Sequence, residues 1–239
     1  MTEAPTDDPA PDDTSLPGAD LFPVGRRPTV GFRLGRVLIE PIVRALFDVR
    51  VRGLSGLPKG PYVLIANHLN WLDSFAILVS LPSTPRVHFL GDPTVLISRR
   101  FQWWVVRHVG GYVPVYPSKR SGEKLYHHVE ECLERGGVVA IYPEAHYGAV
   151  DGGLDPLRKG FAHFAVKMGV PVVPVGLSGT KNLWLRKRIG VTVGTTILTA
   201  GRSTEQVYAD GESGLRAVLH LERKRFGLHL FRRRLNSLL

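Results

Sequence analysis

The segment VLIANHLNWLDSF, residues 63–75, places polar side chains directly after a run of aliphatic ones. The aliphatic run is typical of a buried strand, which places Asn67 and His68 directly after its carboxyl end. Asp73 follows five residues after the histidine. On one continuous helix, residues five apart point about 140° away from each other. A strand-to-helix turn lets the carboxylate accept the ring N–H of His68, which leaves the other ring nitrogen as a general base.

The same turn predicts a helix that starts near Trp71, with Asn70 as its N-cap and Asp73 at the third helical position. A plain structural explanation competes with the dyad. An aspartate in a first helical turn is ordinary capping chemistry, and a loop histidine is often only a surface residue. The spacing alone therefore permits a histidine–carboxylate dyad without deciding for it.

Further motifs follow this segment. YPEAHY occupies residues 142–147, Lys159 and Gly160 come next, and VPVVPV occupies residues 170–175. Together with Asn-His-x4-Asp, their order and spacing resemble the glycerolipid acyltransferase family, typified by 1-acylglycerol-3-phosphate acyltransferases. The resemblance extends from about residue 48 to about residue 200.

The match to the family is uneven. The first motif is met in full by Asn67, His68 and Asp73. The third motif, usually Phe-Pro-Glu-Gly-Thr-Arg, is met only in its first half: Tyr142, Pro143 and Glu144 align, while Ala145, His146 and Tyr147 replace Gly-Thr-Arg. The second motif is partial: Pro117 stands where an arginine is usual, with Lys119 and Arg120 close behind. These departures keep open a lipid-binding protein with lost or altered catalysis.

The resemblance implies that an acyl chain moves from acyl-CoA or acyl carrier protein, as co-substrate and without a cofactor, to the free hydroxyl of a lysophospholipid. The acceptor expected first is 1-acylglycerol-3-phosphate, and another lysolipid is the alternative. The resemblance also implies direct attack, with His68 as base and Asp73 as its orienting partner. A serine-nucleophile mechanism lacks its elbow, because GLSGT at residues 176–180 misses the last glycine of Gly-x-Ser-x-Gly.

Candidate substrate-binding residues follow from motif position and charge. Glu144 is expected to bind the acceptor or to support the loop that carries His68, and a solvated strand-end carboxylate is the plain alternative. Cations near the motifs can hold a phosphate, although solvated basic pairs are an equal alternative. The full set is Asn67, Tyr142, Pro143, Glu144, Arg158, Lys159, Lys119 and Arg120.

Tyr147 stands at the arginine position of the third motif, which the resemblance links to the phosphate of the acceptor. A tyrosine hydrogen-bonds but carries no positive charge at neutral pH. We expect compensation by one of Lys119, Arg120, Arg158 and Lys159, or else an acceptor with a less charged or larger headgroup.

Short β-rich segments alternate with helical ones along the chain, which predicts an α/β fold: a mixed, largely parallel sheet with helices on its faces. In such sheets ligands bind beyond the carboxyl ends of the strands. The predicted strands are residues 48–53, 62–67, 86–91, 112–116, 137–143, 170–177 and 190–197, and the predicted helices are residues 71–80, 94–109, 121–135, 158–168 and 213–225.

Charge and composition divide the 239 residues into three parts. Residues 1–23 hold six acidic residues and neither Lys nor Arg, have no features of a secretory signal, and predict a disordered tail. The formal net charge is +10 for the chain and +16 without that tail. Residues 24–47 form an amphipathic helical segment, and residues 48–239 form the acyltransferase domain, with a basic C-terminal helix. The single cysteine, Cys132, rules out an intrachain disulfide and is expected to be buried in a helix.

The amphipathic segment carries a charged stripe, in which Arg33, Arg36, Glu40 and Arg44 are spaced three, four and four apart among apolar residues. Pro41 is expected to kink the helix or split it in two. The stripe predicts binding to an anionic membrane surface, with the protein peripheral on the cytoplasmic face of the cell membrane. Packing of the apolar side on the core is the equal alternative. No apolar run reaches the roughly 20 residues that cross a bilayer.

Two other functional classes have little support. Nucleic-acid binding rests on charge alone, because no aromatic-basic signature or zinc-finger spacing accompanies it. A metal site is not expected either: HHVEE at residues 127–131 puts His127 and Glu131 four apart on a helix, but no His-Glu-x-x-His or paired-cysteine pattern is present.

Overall fold

The computed structural model describes residues 24–91, 104, 111–114, 122–219 and 231–236. The predicted acidic tail, the predicted helix at 94–109 apart from residue 104, Lys119, Arg120 and the basic stretch at 223–225 lie outside these residues. The helices are α1 (Val30–Leu46), α2 (Leu72–Ser80), α3 (Gly122–Glu134), α4 (Gly160–Met168), α5 (Thr204–Val218) and α6 (Arg232–Asn236). The strands are β1 (Asp48–Arg52), β2 (Tyr62–Ala66), β3 (Val87–Gly91), β4 (Tyr112–Pro114), β5 (Val138–Ile141), β6 (Val172–Ser178) and β7 (Arg188–Val193).

The strands form one seven-stranded sheet in the order β1-β7-β6-β2-β5-β3-β4. Strands β6, β2, β5, β3 and β4 run parallel to one another. Strand β7 runs antiparallel to β6, and β1 pairs in parallel with β7. The sheet is therefore mixed and largely parallel, as predicted.

Central strand β2 is buried along its whole length, because helices cover both faces of the sheet. Alternate side chains of β2 enter different cores. Leu64 and Ala66 pack on the face covered by α1 and α2, whereas Val63 and Ile65 pack on the face covered by α3, α4 and α5. This two-sided burial fixes the carboxyl end of β2, where the polar motif begins.

Two elements, α5 and β7, differ from the prediction by more than two residues at one end or both. Helix α5 covers Thr204–Val218, whereas the predicted helix covered residues 213–225. The observed helix starts nine residues earlier and ends seven residues earlier than predicted. Its start is set by a capping box, in which Ser203 and Gln206 satisfy each other's backbone N–H groups. Strand β7 ends at Val193, and only Ile197 of the following residues makes a bridge, to Val172.

Helix α1 continues through Pro41 as one helix, so the predicted split into two segments is wrong. It begins after Thr29, whose hydroxyl accepts the Phe32 N–H at 3.1 Å. Phe32 and Val43 are buried against the protein, as the packing alternative expected. A second set of apolar side chains on the same helix is 58–75% exposed: Val30, Leu34, Val37, Leu38 and Ile42.

Two arginines of the charged stripe of α1 bond to the rest of the protein, whereas Arg33 is exposed. The Arg36 guanidinium donates to the Leu81 carbonyl at 2.6 Å, and Arg44 donates to the Val79 carbonyl at 3.4 Å. Both arginines pair with Glu40, at 3.6 and 2.9 Å. Charged residues thus anchor α1 at the end of α2 and leave an apolar surface outside.

Candidate active site

Asn67 follows β2 and ties its end to β6. Its amide nitrogen donates to the Leu177 carbonyl at 2.9 Å, and its amide oxygen accepts the Leu177 N–H at 2.7 Å. The side chain is fully buried. Because Leu177 uses both ends of the amide, Asn67 supports the turn that carries His68, and its contact with a substrate stays a prediction.

His68 and Asp73 meet in the turn between β2 and α2. The ring Nδ1 lies 2.8 Å from Asp73 Oδ2, and the same oxygen accepts the backbone N–H groups of Leu69 and Asn70. A carboxylate that serves these donors accepts from Nδ1–H, which leaves Nε2 with its lone pair. No hydrogen bond from the described part of the chain occupies Nε2.

The capping arrangement differs from the prediction in two respects. Helix α2 begins at Leu72, so Asp73 is its second residue and not its third. The Asn70 side chain makes no capping bond; the buried carboxylate of Asp73 itself accepts the backbone N–H groups of the turn. Helix capping and the dyad are therefore one arrangement, and the two explanations of Asp73 do not exclude each other.

Two tyrosines flank the His68 ring. Tyr142 stacks on it with centroids 3.8 Å apart and planes 9° apart, and Tyr147 approaches within 4.4 Å at 55°. The Tyr142 hydroxyl lies 2.9 Å from the Ser74 hydroxyl. Burial raises the pKa of Tyr142 well above its usual value, and the Asp73 charge adds to this, so Tyr142 stays neutral. The stacked Tyr142 ring therefore fixes the plane of the imidazole, and the Tyr147 ring lies against it.

Glu144 supports the loop that carries His68. Its side chain is buried, with one oxygen accepting the His68 N–H at 2.9 Å and the other accepting the Asp155 N–H at 2.9 Å. Of the roles expected for this residue, loop support matches these contacts. The Pro143 carbonyl accepts the Arg158 N–H at 2.8 Å, which ties the third motif to the start of α4.

The second half of the third motif forms a tight turn over the site. Ala145 has a φ of 60°, a left-handed conformation that glycine adopts without strain. The His146 ring meets acceptors at both nitrogens: the Glu144 carbonyl at 2.7 Å and Asp155 Oδ2 at 3.0 Å. The Asp155 hydrogen bond, helped by the Glu144 carbonyl, raises the pKa of His146. Both contacts are complete only when the ring is doubly protonated.

The described contacts do not bring the predicted phosphate-binding cations to His68. Arg158 is exposed, and its backbone N–H donates to the Pro143 carbonyl. The Lys159 ammonium lies 5.7 Å from the Tyr208 ring of α5, a helix on the opposite face of the sheet from α2. Lys119 and Arg120 lie outside the described residues.

Residues that follow β6 contact the loop after the third motif, and they belong to none of the motifs found in the sequence. The Gly179 N–H donates to both oxygens of Asp151, at 3.2 and 2.9 Å. Burial raises the pKa of Asp151, while the Gly179 bond and the charges of Lys187 and Lys181 oppose that rise. The Lys181 ammonium donates to the Gly148 carbonyl.

The family profile described as Acyltransferase matches residues 48–178, more than half of the chain. The chain belongs to this acyltransferase family. The matched residues run from β1 to the end of β6 and include the His68 turn and the third motif, whereas Lys181 lies just beyond them. Among the described residues of this acyltransferase, no group of three His, Cys, Asp or Glu side chains could hold a metal ion.

Several curated proteins resemble this acyltransferase. A chloroplastic 1-acyl-sn-glycerol-3-phosphate acyltransferase of Brassica napus is 32% identical over 137 residues, which cover 56% of this chain and 38% of the relative. The alpha form of Mus musculus is 26% identical over 193 residues, 74% of this chain and 64% of the relative. The match thus spans about two fifths of the plant relative's length.

A solved structure shares the fold. The crystal structure of the 1-acyl-sn-glycerophosphate acyltransferase of Thermotoga maritima superposes with a TM-score of 0.63, at 22% identity, over 80% of this chain and 81% of that one. The mixed seven-stranded sheet with flanking helices is therefore an architecture that the family uses.

Proposed function

We propose that this protein transfers a fatty acyl chain from an acyl thioester, acyl-CoA or acyl carrier protein, to the free hydroxyl of a lysophospholipid, with 1-acylglycerol-3-phosphate as the first acceptor to test. Membership of the acyltransferase family and the names of the relatives support the reaction class. The observation that carries the proposal is the His68 ring, whose Nδ1 is held by Asp73 and whose Nε2 is open.

In the proposed reaction, Nε2 of His68 takes the proton of the acceptor hydroxyl as its oxygen attacks the thioester carbonyl carbon. The tetrahedral intermediate collapses with cleavage of the C–S bond, and the imidazolium returns the proton to the leaving thiolate. Asp73 stabilises the imidazolium and keeps its orientation. The contacts of Ser74 support direct attack by the acceptor without a serine nucleophile, because the Ser74 hydroxyl bonds to Tyr142 and not to His68.

The test is thiol release by purified protein supplied with acyl-CoA, and separately with acyl carrier protein, over a panel of lysolipids. Cys132 does not add to the signal, because it is buried and its burial raises its pKa to about 12. Acceptor-dependent thiol release that is lost in His68→Ala supports the proposal. Thiol release that does not depend on any lysolipid contradicts it.

We further propose that the enzyme works at an anionic membrane surface and that α1 is the element that enters it. No described helix is both long and apolar enough to cross a bilayer. The exposed apolar side of α1 can instead lie in the interface, while exposed Arg33 beside it meets the headgroups. Arg36 and Arg44 were expected at the headgroups, but their bonds to carbonyls near the end of α2 give them another role. The chain's net charge of +10 favours anionic lipid.

This orientation is tested with Leu38→Gln, because Leu38 is 66% exposed on α1, and with Leu198→Gln as the matched control, because Leu198 is 68% exposed elsewhere. Burying a leucine contributes about 1.5 to 3 kcal/mol, so Leu38→Gln is expected to weaken binding to phosphatidylglycerol vesicles about tenfold or more in sedimentation. Leu198→Gln is expected to bind like the wild type. Equal binding by both variants would place the membrane contact elsewhere.

A further inference from the structure

Three parallel neighbours, β5, β2 and β6, end side by side, and the ends of two of them already form the site. His68 follows β2, and the Tyr142–Glu144 motif follows β5. Ligands bind beyond the carboxyl ends of such strands. The third end, after β6, contributes Gly179, with a φ of 79°, and then Lys181. This cation lies beyond the matched family region, three residues after the end of the third strand.

Two hydrogen bonds connect Lys181 to the His68 turn. The Lys181 ammonium donates to the Gly148 carbonyl, and the Gly148 N–H donates to the His68 carbonyl at 2.6 Å. Gly148 directly follows Tyr147, whose ring approaches the His68 ring. The ammonium therefore lies beside the same loop that covers the imidazole.

Lys181 keeps donors for a ligand. An ammonium has three N–H donors, and the described contact with Gly148 uses one. Among the described residues no ion pair engages Lys181, although Asp151 lies close enough to interact electrostatically. The Lys187 ammonium donates to the Lys181 carbonyl and so holds the backbone of this segment in place.

The proposed acceptor requires a cation at such a place. In 1-acylglycerol-3-phosphate only two carbons and an oxygen separate the reacting hydroxyl oxygen from phosphorus, so a hydroxyl at Nε2 of His68 brings the phosphate into the adjacent space. Two candidate cations are among the described residues. The Lys159 ammonium lies over the Tyr208 ring, and the Arg158 backbone N–H donates to the Pro143 carbonyl.

We infer that Lys181 binds the phosphate of the acceptor and selects lysolipids with a phosphate monoester headgroup. This inference rests on the proposed acyl transfer. The phosphate oxygens accept hydrogen bonds from one or both of the remaining N–H groups of the ammonium, while the Gly148 carbonyl accepts from the third. Lys181 then supplies the positive charge that Tyr147 lacks.

The test compares Lys181→Met, Lys181→Arg and the charge control Lys59→Met, an exposed lysine between β1 and β2. Values of kcat/KM are measured with lysophosphatidate and with lysophosphatidylcholine. Lys181→Met is expected to lose about tenfold to hundredfold on lysophosphatidate, mainly through KM, and little on lysophosphatidylcholine. Lys181→Arg is expected to recover most of the loss, and Lys59→Met to behave like the wild type.

Two results would overturn the inference. The first is an unchanged kcat/KM in Lys181→Met. The second is an equal loss of kcat/KM on both acceptors that Lys181→Arg does not recover, which would mean that Lys181 only supports the Gly148 loop. A wild-type protein that acylates no acceptor refutes the proposed function separately. Lys181 is then judged by calorimetric binding of short-chain lysophosphatidate against short-chain lysophosphatidylcholine. A preference that disappears in Lys181→Met supports phosphate binding, and a preference that the variant leaves unchanged overturns it.

Discussion

His68 and His88 belong to the same parallel part of the sheet and share one tautomer. His88, within β3, donates from Nδ1 to the Val138 carbonyl at 3.2 Å and accepts at Nε2 from the Arg86 guanidinium at 3.1 Å and the Gly25 N–H at 3.3 Å. His68, beyond β2, donates from Nδ1 to Asp73 at 2.8 Å. The rings differ at Nε2, which protein donors occupy in His88 and leave open in His68.

Position along the strand explains the difference. Near the start of β3, where His88 is the second residue, the ring is fully buried, and this burial, with the adjacent Arg86 charge, lowers the pKa of His88 to about 3. A neutral ring saturated with hydrogen bonds holds the N-terminal segment at Gly25 on the sheet. At the end of β2 the backbone leaves the sheet, so one face of the site opens to a ligand. The same side chain is therefore structural in one place and suited to proton transfer in the other.

The largest effect expected from this comparison is on the rate of His68→Ala. Loss of a general base typically reduces the rate about 10² to 10⁴-fold. The protein is expected to remain folded, because Asp73 keeps the backbone N–H donors of Leu69 and Asn70. Thiol release and urea unfolding on the same preparation measure both effects. A folded variant with near-wild-type thiol release would remove His68 from the mechanism.

The sequence predicts local features of this comparison well. Buried strand β2 and the turn after it follow from patterns within thirteen residues, and the spacing of His68 and Asp73 permits the contact that the structure shows. The parallel sheet follows from the alternation of strands and helices. Such features depend on neighbours in the chain, so periodicity and spacing are sufficient to find them.

Most features that depend on distant residues do not follow from the sequence patterns, although support of the His68 loop by Glu144 was one of two roles expected for that residue. The stack of Tyr142 on His68 joins residues 74 positions apart, and the Lys181 contact with Gly148 joins residues 33 apart. The direction of the apolar side of α1 depends on which carbonyls Arg36 finds near the end of α2. No period in the sequence encodes these choices. The start of α5 is different, because its capping box, Ser203 with Gln206 three residues later, is a local pattern that the sequence contains.

The next effect in size is on the stability of His88→Leu. This change removes the acceptor of the buried Arg86 Nε–H and of the Gly25 N–H, and loss of a partner for a buried donor costs about 1 to 3 kcal/mol. Urea unfolding is expected to show this loss, while thiol release per folded molecule stays at the wild-type value. A fall in rate without a fall in stability would reverse the roles assigned to the two histidines.

A smaller effect is the pH dependence of unfolding. Because the pKa of His88 is about 3 in the folded protein and its usual value is 6.5, His88 binds a proton more readily in the unfolded chain between these pH values. Its contribution to stability is complete above pH 6.5 and falls as the pH drops, by up to about 1.4 kcal/mol per pH unit. Unfolding curves at pH 7 and pH 5 are expected to show a shallower loss for His88→Leu than for the wild type. Equal slopes would mean that other groups produce the acid sensitivity.

The smallest effect concerns how the His68 ring is oriented. Tyr142→Phe keeps the stacked ring and removes only the hydrogen bond to Ser74, an interaction of about 0.5 to 1.5 kcal/mol, so the rate is expected to fall by a few-fold at most. Tyr142→Leu is the matched change that removes the aromatic face as well. It is expected to cost up to about tenfold more in kcat, because a stacked aromatic pair contributes about 0.5 to 1.5 kcal/mol and here holds the plane of the base. Equal losses in the two variants would show that the hydroxyl, through Ser74 on α2, orients the base, and that the aromatic face contributes only packing.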